Sequence, residues 1–159
     1  MEKEQKDLLL KDLCGRLHTC NCINGTALIV ALADEQQLES NQWLISIYDC
    51  YKDKFIVSNI VYASDVERLI DIDNIRPYLF PLSSMTDEQK REFISVAGYE
   101  TREEDCGRHT ETYYYDMVGH EHNFYPNSDA IDWCDKNHFD YRGLIPMGLA
   151  IDATGLNIY

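Results

Sequence analysis

His120-Glu121-His122 is the pattern with the plainest chemistry in this chain. On a strand, residues i and i+2 share a face, so two imidazoles would reach one metal ion. Asp116, His109 or Cys106 would complete its shell. Gly119 and Asn123 flank the pair and favour a turn, which makes solvent-exposed loop histidines the simpler account. Cys106-Gly-Arg-His109 sets a thiol near a base. Nucleophilic catalysis also needs an oriented base and an oxyanion site, and the sequence supplies neither. Cys20-Asn-Cys22 is a CxC rather than a CxxC; on a strand both thiols would face one side.

Two other groups suit binding better than catalysis. His138-Phe-Asp140-Tyr-Arg142-Gly offers Asp140 and Arg142 as an ion pair that would fix the C-terminal turn. Arg142 would otherwise offer a bidentate fork to a phosphate or carboxylate. Tyr113-Tyr114-Tyr115 would alternate faces along a strand, which core packing explains poorly. Tyrosine presents large contact area at low entropy cost, so Tyr113 and Tyr115 are candidate partner contacts. No GxxxxGK[ST], GxGxxG, HExxH or GxSxG occurs. ATPase, dinucleotide, zinc-protease and serine-hydrolase readings therefore lack their sequence support.

These groups must be positioned by short elements. Leu8, Leu9, Leu13 and Leu17 give a short amphipathic helix at about 6–14, weakened by Gly15. Asn24-Gly25 between β-prone runs is a hairpin signal. Leu28–Leu32 is continuous and apolar, as in a central strand. Trp43–Tyr48 and Phe55–Tyr62 read as strands joined by a charged turn, with a further short strand within 66–75. Arg76-Pro-Tyr-Leu-Phe-Pro-Leu is extended because prolines bracket it, and its side chains would cover the sheet. Thr86 with Gln89 forms a capping box that starts a helix, and Gly98 ends it. Residues 99–112 are polar, and Tyr113–Val118 reads as a strand. Ser128 would cap a helix over Asp129–Asn137. The expectation is one α+β domain spanning 1–159: a small antiparallel β-sheet or SH3/OB-like barrel packed by three short helices, near 6–14, 86–97 and 129–138. Its β-rich part covers about 18–75, and its helical and mixed part about 76–159.

Composition bounds the function. The 159 residues carry 28 acids against 14 bases, a net charge of −14, with 45% hydrophobic residues. The acid excess is −6 over residues 1–75 and −8 over 76–159. Such a surface repels phosphates, so direct nucleic acid binding is not expected, while a basic protein partner would be attracted. No apolar run reaches membrane-spanning length. The charged MEKEQKD start is unlike a secretory signal, so a reducing cytoplasm with six free thiols is expected. No cofactor is implied.

Leu8-Leu-Leu-Lys-Asp-Leu-Cys-Gly-Arg-Leu17, Arg76-Pro-Tyr-Leu-Phe-Pro-Leu-Ser-Ser-Met-Thr86, Ala130-Ile-Asp-Trp133 and Asn137-His-Phe-Asp-Tyr-Arg-Gly-Leu-Ile145 together resemble an uncharacterised family of small proteins from Bacteroidales bacteria, their prophages and mobile elements. The matching blocks cover about a third of the chain and bracket its length. Members usually follow the first helix with a Pro-Tyr-Gly turn, where this chain has His18-Thr19-Cys20. The resemblance brings no catalytic residues, and segments 18–60 and 99–127 look individual to this chain. It implies a non-enzymatic binding protein in the bacterial host cell, antagonising host defence or regulation by binding a host protein. Two alternatives stay open. One is a sponge, suited to a homo-oligomer, that sequesters a nucleotide immune signal with Arg76, Arg102, Arg108 and Arg142 on phosphate. The other is a metal-dependent enzyme using His120 and His122.

Overall fold

The computed structural model describes residues 1–23, 28–33, 43–59, 67–98, 100–105, 110–115 and 127–159; for 19–23, 47, 59, 67, 100–105 and 110–115 it describes the backbone. The fold is α+β. Helix α1 spans Lys3–Ile23, followed by strands β1 (Ile29–Leu32), β2 (Trp43–Asp49), β3 (Lys54–Asn59), β4 (Glu67–Ile70) and β5 (Ile75–Pro81). Then come α2 (Asp87–Ala97), β6 (Glu100–Asp105), β7 (Thr110–Tyr115), α3 (Ser128–Lys136), β8 (Phe139–Asp140) and β9 (Ile151–Asp152). The chain forms two compact units, Met1–Ser84 with Cys134–Tyr159, and Met85–Trp133.

In the first unit the strand order is β4-β3-β2-β1-β5-β8, with β9 also pairing β5. The pairs from β4 to β5 are antiparallel, and β8 and β9 run parallel to β5. β1 lies between β2 and β5 and is buried along its whole length, which explains its unbroken apolar run. Its residues divide between two clusters. Leu28, Val30 and Leu32 pack with Leu9, Leu13 and Leu17 of α1 and with Phe55, Val57, Ile75 and Leu79. Ile29 and Ala31 pack with Tyr78 and Ala153. That division is the two-residue period of a strand.

Four expectations change in this unit. α1 runs straight through Gly15, and a Cβ there would stand 3.3 Å from the Asp135 carboxylate. The glycine is a close approach, not a stop. Cys20 and Cys22 therefore lie on a helix, where i and i+2 do not share a face, which removes the paired-thiol argument. The residues before Asn24-Gly25 belong to α1 and not to the strand expected there, and the expected turn at 24–27 lies outside the described residues. The segment expected to cover the sheet is instead strand β5 within it, because Pro77 occupies a ladder position beside Val30 that requires no N–H.

In the second unit, α2 has the expected capping box and ends at Gly98, whose φ is 72°. β6, within a segment read as merely polar, pairs antiparallel with β7. α3 is capped one residue earlier than Ser128. The Asn127 Oδ1 accepts the Ala130 N–H at 2.8 Å, and its Nδ2 donates to the Ala97 carbonyl at 3.1 Å. One side chain thus closes the start of α3 and the end of α2. Phe93 and Trp133 rings meet nearby at 5.3 Å. We expect Asn127→Ala to destabilise the protein by about 1–2 kcal/mol in urea unfolding. Asn127→Asp, which keeps the cap and loses the donor, should recover part of that.

Candidate functional site

The chemistry-bearing residues that the fold gathers most tightly lie in the first unit. Asp12 and Arg16 stand four apart on α1, acid before base, the favourable order on a helix. Both fall within the leucine stripe and are fully buried. A guanidinium has five N–H donors, and those of Arg16 make four hydrogen bonds and one ion pair. Nε donates to Asp12 Oδ2 at 2.7 Å, and Nη2 to Asp12 Oδ1 at 3.1 Å and the Phe139 carbonyl at 2.9 Å. Nη1 reaches the Cys134 carbonyl and Asp135 Oδ1, each at 3.5 Å. Arg142 adds an Nε bond to Asp12 Oδ1 at 3.2 Å. The Tyr141 ring lies under both guanidiniums, 5.5 Å from that of Arg16 and 4.7 Å from that of Arg142.

This environment displaces several ionisations. Burial pushes the Asp135 carboxyl up to about 6, against the pull of Arg16. Burial pushes the Cys134 thiol up to about 12, so it carries negligible thiolate at neutral pH. Burial, with Arg16 adding to it, holds His138 down to about 4. Burial also raises the Tyr141 phenol. The cluster is buried, with Asp12 hydrogen-bonded to both arginines and Asp135 paired with Arg16 at 3.5 Å. Its arrangement suits holding α1 to the 134–142 segment rather than turning over a substrate.

The sequence candidates distribute as follows. Arg142 is engaged with Asp12, from 130 residues earlier, not with Asp140. Asp140 does fix the C-terminal turn, but by accepting the Leu144 and Ile145 N–H groups at 2.8 Å each. Arg76 bonds the carbonyls of Ile75, Asp73 and Gly148 at 2.7, 3.2 and 3.1 Å, clasping the 144–149 turn to β5. Arg102, Tyr113 and Tyr115 come together by register: Arg102 pairs with Tyr113 and Glu100 with Tyr115. Cross-strand partners share a face, and so do positions two apart, which puts all three on one face of the β6–β7 ribbon. Arg108, His120 and His122 lie outside the described residues, as do Cys106, His109 and Asp116. Among the described residues, no group of three His, Cys, Asp or Glu side chains could hold a metal ion. Cys14, Cys50 and Cys134 are free thiols.

Sequence reasoning passed over Asp12, Arg16 and Asp135. The signal was present in α1, where an acid and a base at i, i+4 interrupt the leucine stripe on its apolar side. Comparison with protein-family models, curated proteins and solved structures finds no match to this chain.

Two measurements check the cluster. Arg16→Met strands buried carboxylates and should cost roughly 3–5 kcal/mol in denaturant unfolding. The second is pH dependence. His138 titrates near 6.5 when unfolded and near 4 when folded, so its stabilisation is full above 6.5 and is lost as pH falls toward 4. Asp135 titrates near 3.8 unfolded and near 6 folded, so its stabilisation is full below 3.8 and is lost as pH rises toward 6. Between about pH 4 and 6 the two trends oppose each other. We expect Asp135→Asn to make stability climb more steeply with pH across that window than in the parent. His138→Asn should make it fall.

Proposed function

We propose that this chain is a non-enzymatic acidic binding protein of a phage or other mobile element of Bacteroidales. It acts in the host cytoplasm and occupies a basic host protein of defence or regulation. The observation that carries this reading is the β6–β7 register, which groups Tyr113, Tyr115 and Arg102 on one face. The same two strands hold five acids, Glu100, Glu103, Glu104, Asp105 and Glu111, and one base. Aromatic anchors in an acidic field suit a basic protein surface. The net charge of −14 would speed that encounter.

The nucleotide sponge is less well supported. It needs four arginines for phosphate, and Arg76 and Arg142 are engaged with carbonyls and Asp12. No helix among the described residues is long and apolar enough to cross a membrane.

Native mass spectrometry of the protein purified gently from a Bacteroidales host lysate tests the proposal. We expect a stoichiometric basic polypeptide that dissociates at about 0.5 M salt. Tyr113→Ala with Tyr115→Ala should weaken its binding tenfold or more, in the range of interface anchors, while the circular dichroism spectrum stays unchanged. A released mass of a few hundred daltons in the nucleotide range would overturn the reading in favour of the sponge.

A further inference from the structure

In the first unit, β5 changes partners partway along its length. Its ladder with β1 ends at Val30 and Pro77, Tyr78 and Leu79 pair with β9, and Phe80 and Pro81 pair with β8. Ile29 and Tyr78 lie where that β1 ladder stops. The Tyr159 hydroxyl stands between them. It accepts from the Ile29 N–H at 3.2 Å and donates to the Tyr78 carbonyl at 2.9 Å. Its ring lies flat on His138, centroids 3.8 Å apart and planes 10° apart, with Phe80 tilted at 5.9 Å.

The walls of this slot are held without Tyr159. Phe80 N–H bonds the His138 carbonyl at 2.8 Å, Ala153 N–H bonds the Leu79 carbonyl at 2.8 Å, and Phe80 meets Phe139 at 6.0 Å. The slot also carries strain. His138 has a φ of 60°, uncommon for a residue with a Cβ, and neither of its buried ring nitrogens has a hydrogen-bond partner among the described residues. Strained backbone and unsatisfied polar groups cluster at ligand clamps more than in ordinary cores. The segment that leads into Tyr159 turns at the surface. Thr154–Asn157 are exposed, and Gly155 and Asn157 are both left-handed at 77° and 49°.

We propose that Tyr159 is the built-in occupant of a tyrosine-recognition slot, and that residues 154–159 form a lid whose opening offers the slot to a tyrosine side chain of a partner protein. The choice of a phenol follows from geometry. The Ile29 donor and the Tyr78 acceptor converge on one oxygen, which a hydroxyl satisfies by accepting and donating at once. A nucleobase edge spreads donor and acceptor over separate atoms. The neutral imidazole of His138 suits stacking on an uncharged ring. The slot is built from residues of the first unit and the β6–β7 ribbon belongs to the second, and the two proposals fail independently.

Amide exchange on the full chain reads the lid. The Ile29 N–H reports it directly, and the Ile45 N–H, bonded to the Leu28 carbonyl, reports the sheet. We expect Ile29 to exchange at least about tenfold faster than Ile45, through local opening. Tyr159→Phe should speed Ile29 further by roughly tenfold, the worth of one hydrogen bond, and leave Ile45 unchanged. Equal rates for Ile29 and Ile45 in the parent would mean that the lid opens only with the whole fold, and would overturn the proposal. On Tyr159→Ala, p-cresol should shift the Ile29, Tyr78 and His138 resonances, with toluene weaker and adenosine inert. Adenosine binding more tightly than p-cresol would overturn the proposal in favour of a nucleobase site. If Tyr159→Ala does not fold, the exchange comparison on the parent and Tyr159→Phe decides alone.

Discussion

A guanidinium taken wholly out of water must find acceptors for its N–H groups or forfeit several kcal/mol of hydration, and Arg16 finds four hydrogen bonds and an ion pair with Asp135 at the junction of three chain segments. Asp12 comes from the same helix, the Cys134 carbonyl and Asp135 from α3, and the Phe139 carbonyl from β8. Apolar packing against β1 would tolerate α1 at several rotations and shifts. The Arg16 contacts are satisfied at one. The 3.3 Å approach of Asp135 to Gly15 then sets how closely the 134–136 segment lies to α1. The cluster therefore acts mainly by selecting an arrangement, since buried ion pairs return little net stability over apolar side chains of equal volume.

That arrangement has a consequence at the far edge of the sheet. Holding the end of α3 against α1 forces an abrupt reversal into β8, and His138 makes it in a left-handed conformation. The same residue supplies the platform on which Tyr159 stacks and the carbonyl that receives the Phe80 N–H. The buried charge cluster and the aromatic slot are thus neighbours through one short loop. A change in either is felt by β5, the strand that carries ladders to β1, β8 and β9.

Much of the fold was legible locally. The apolar run at Leu28–Leu32, the Thr86–Gln89 box with its Gly98 stop, and the β2–β3 hairpin each follow from patterns within a dozen residues. α1 was legible in place but not in length, because Gly15 reads as a helix stop only while its neighbour across space is unknown. Asn127 was passed over for Ser128 because both are good caps, and the Ala97 carbonyl that favours asparagine lies 30 residues back. β6 carries too many acids to look like a strand, and its pairing with β7 supplies what its propensity lacks.

The site divides along the same line. By itself the sequence determined the residue types, the acidic field, the tyrosine alternation on β7 and the local caps, since each depends on charge count or on periods of two or 3.6 residues. Tertiary structure decided which charges are partners. Arg142 and Asp140 sit two residues apart and look paired. The fold instead gives Arg142 to Asp12 and Asp140 to two backbone amides. A buried charge goes to whichever partner lets both be fully hydrogen-bonded in the same place, and only the packed chain defines that place.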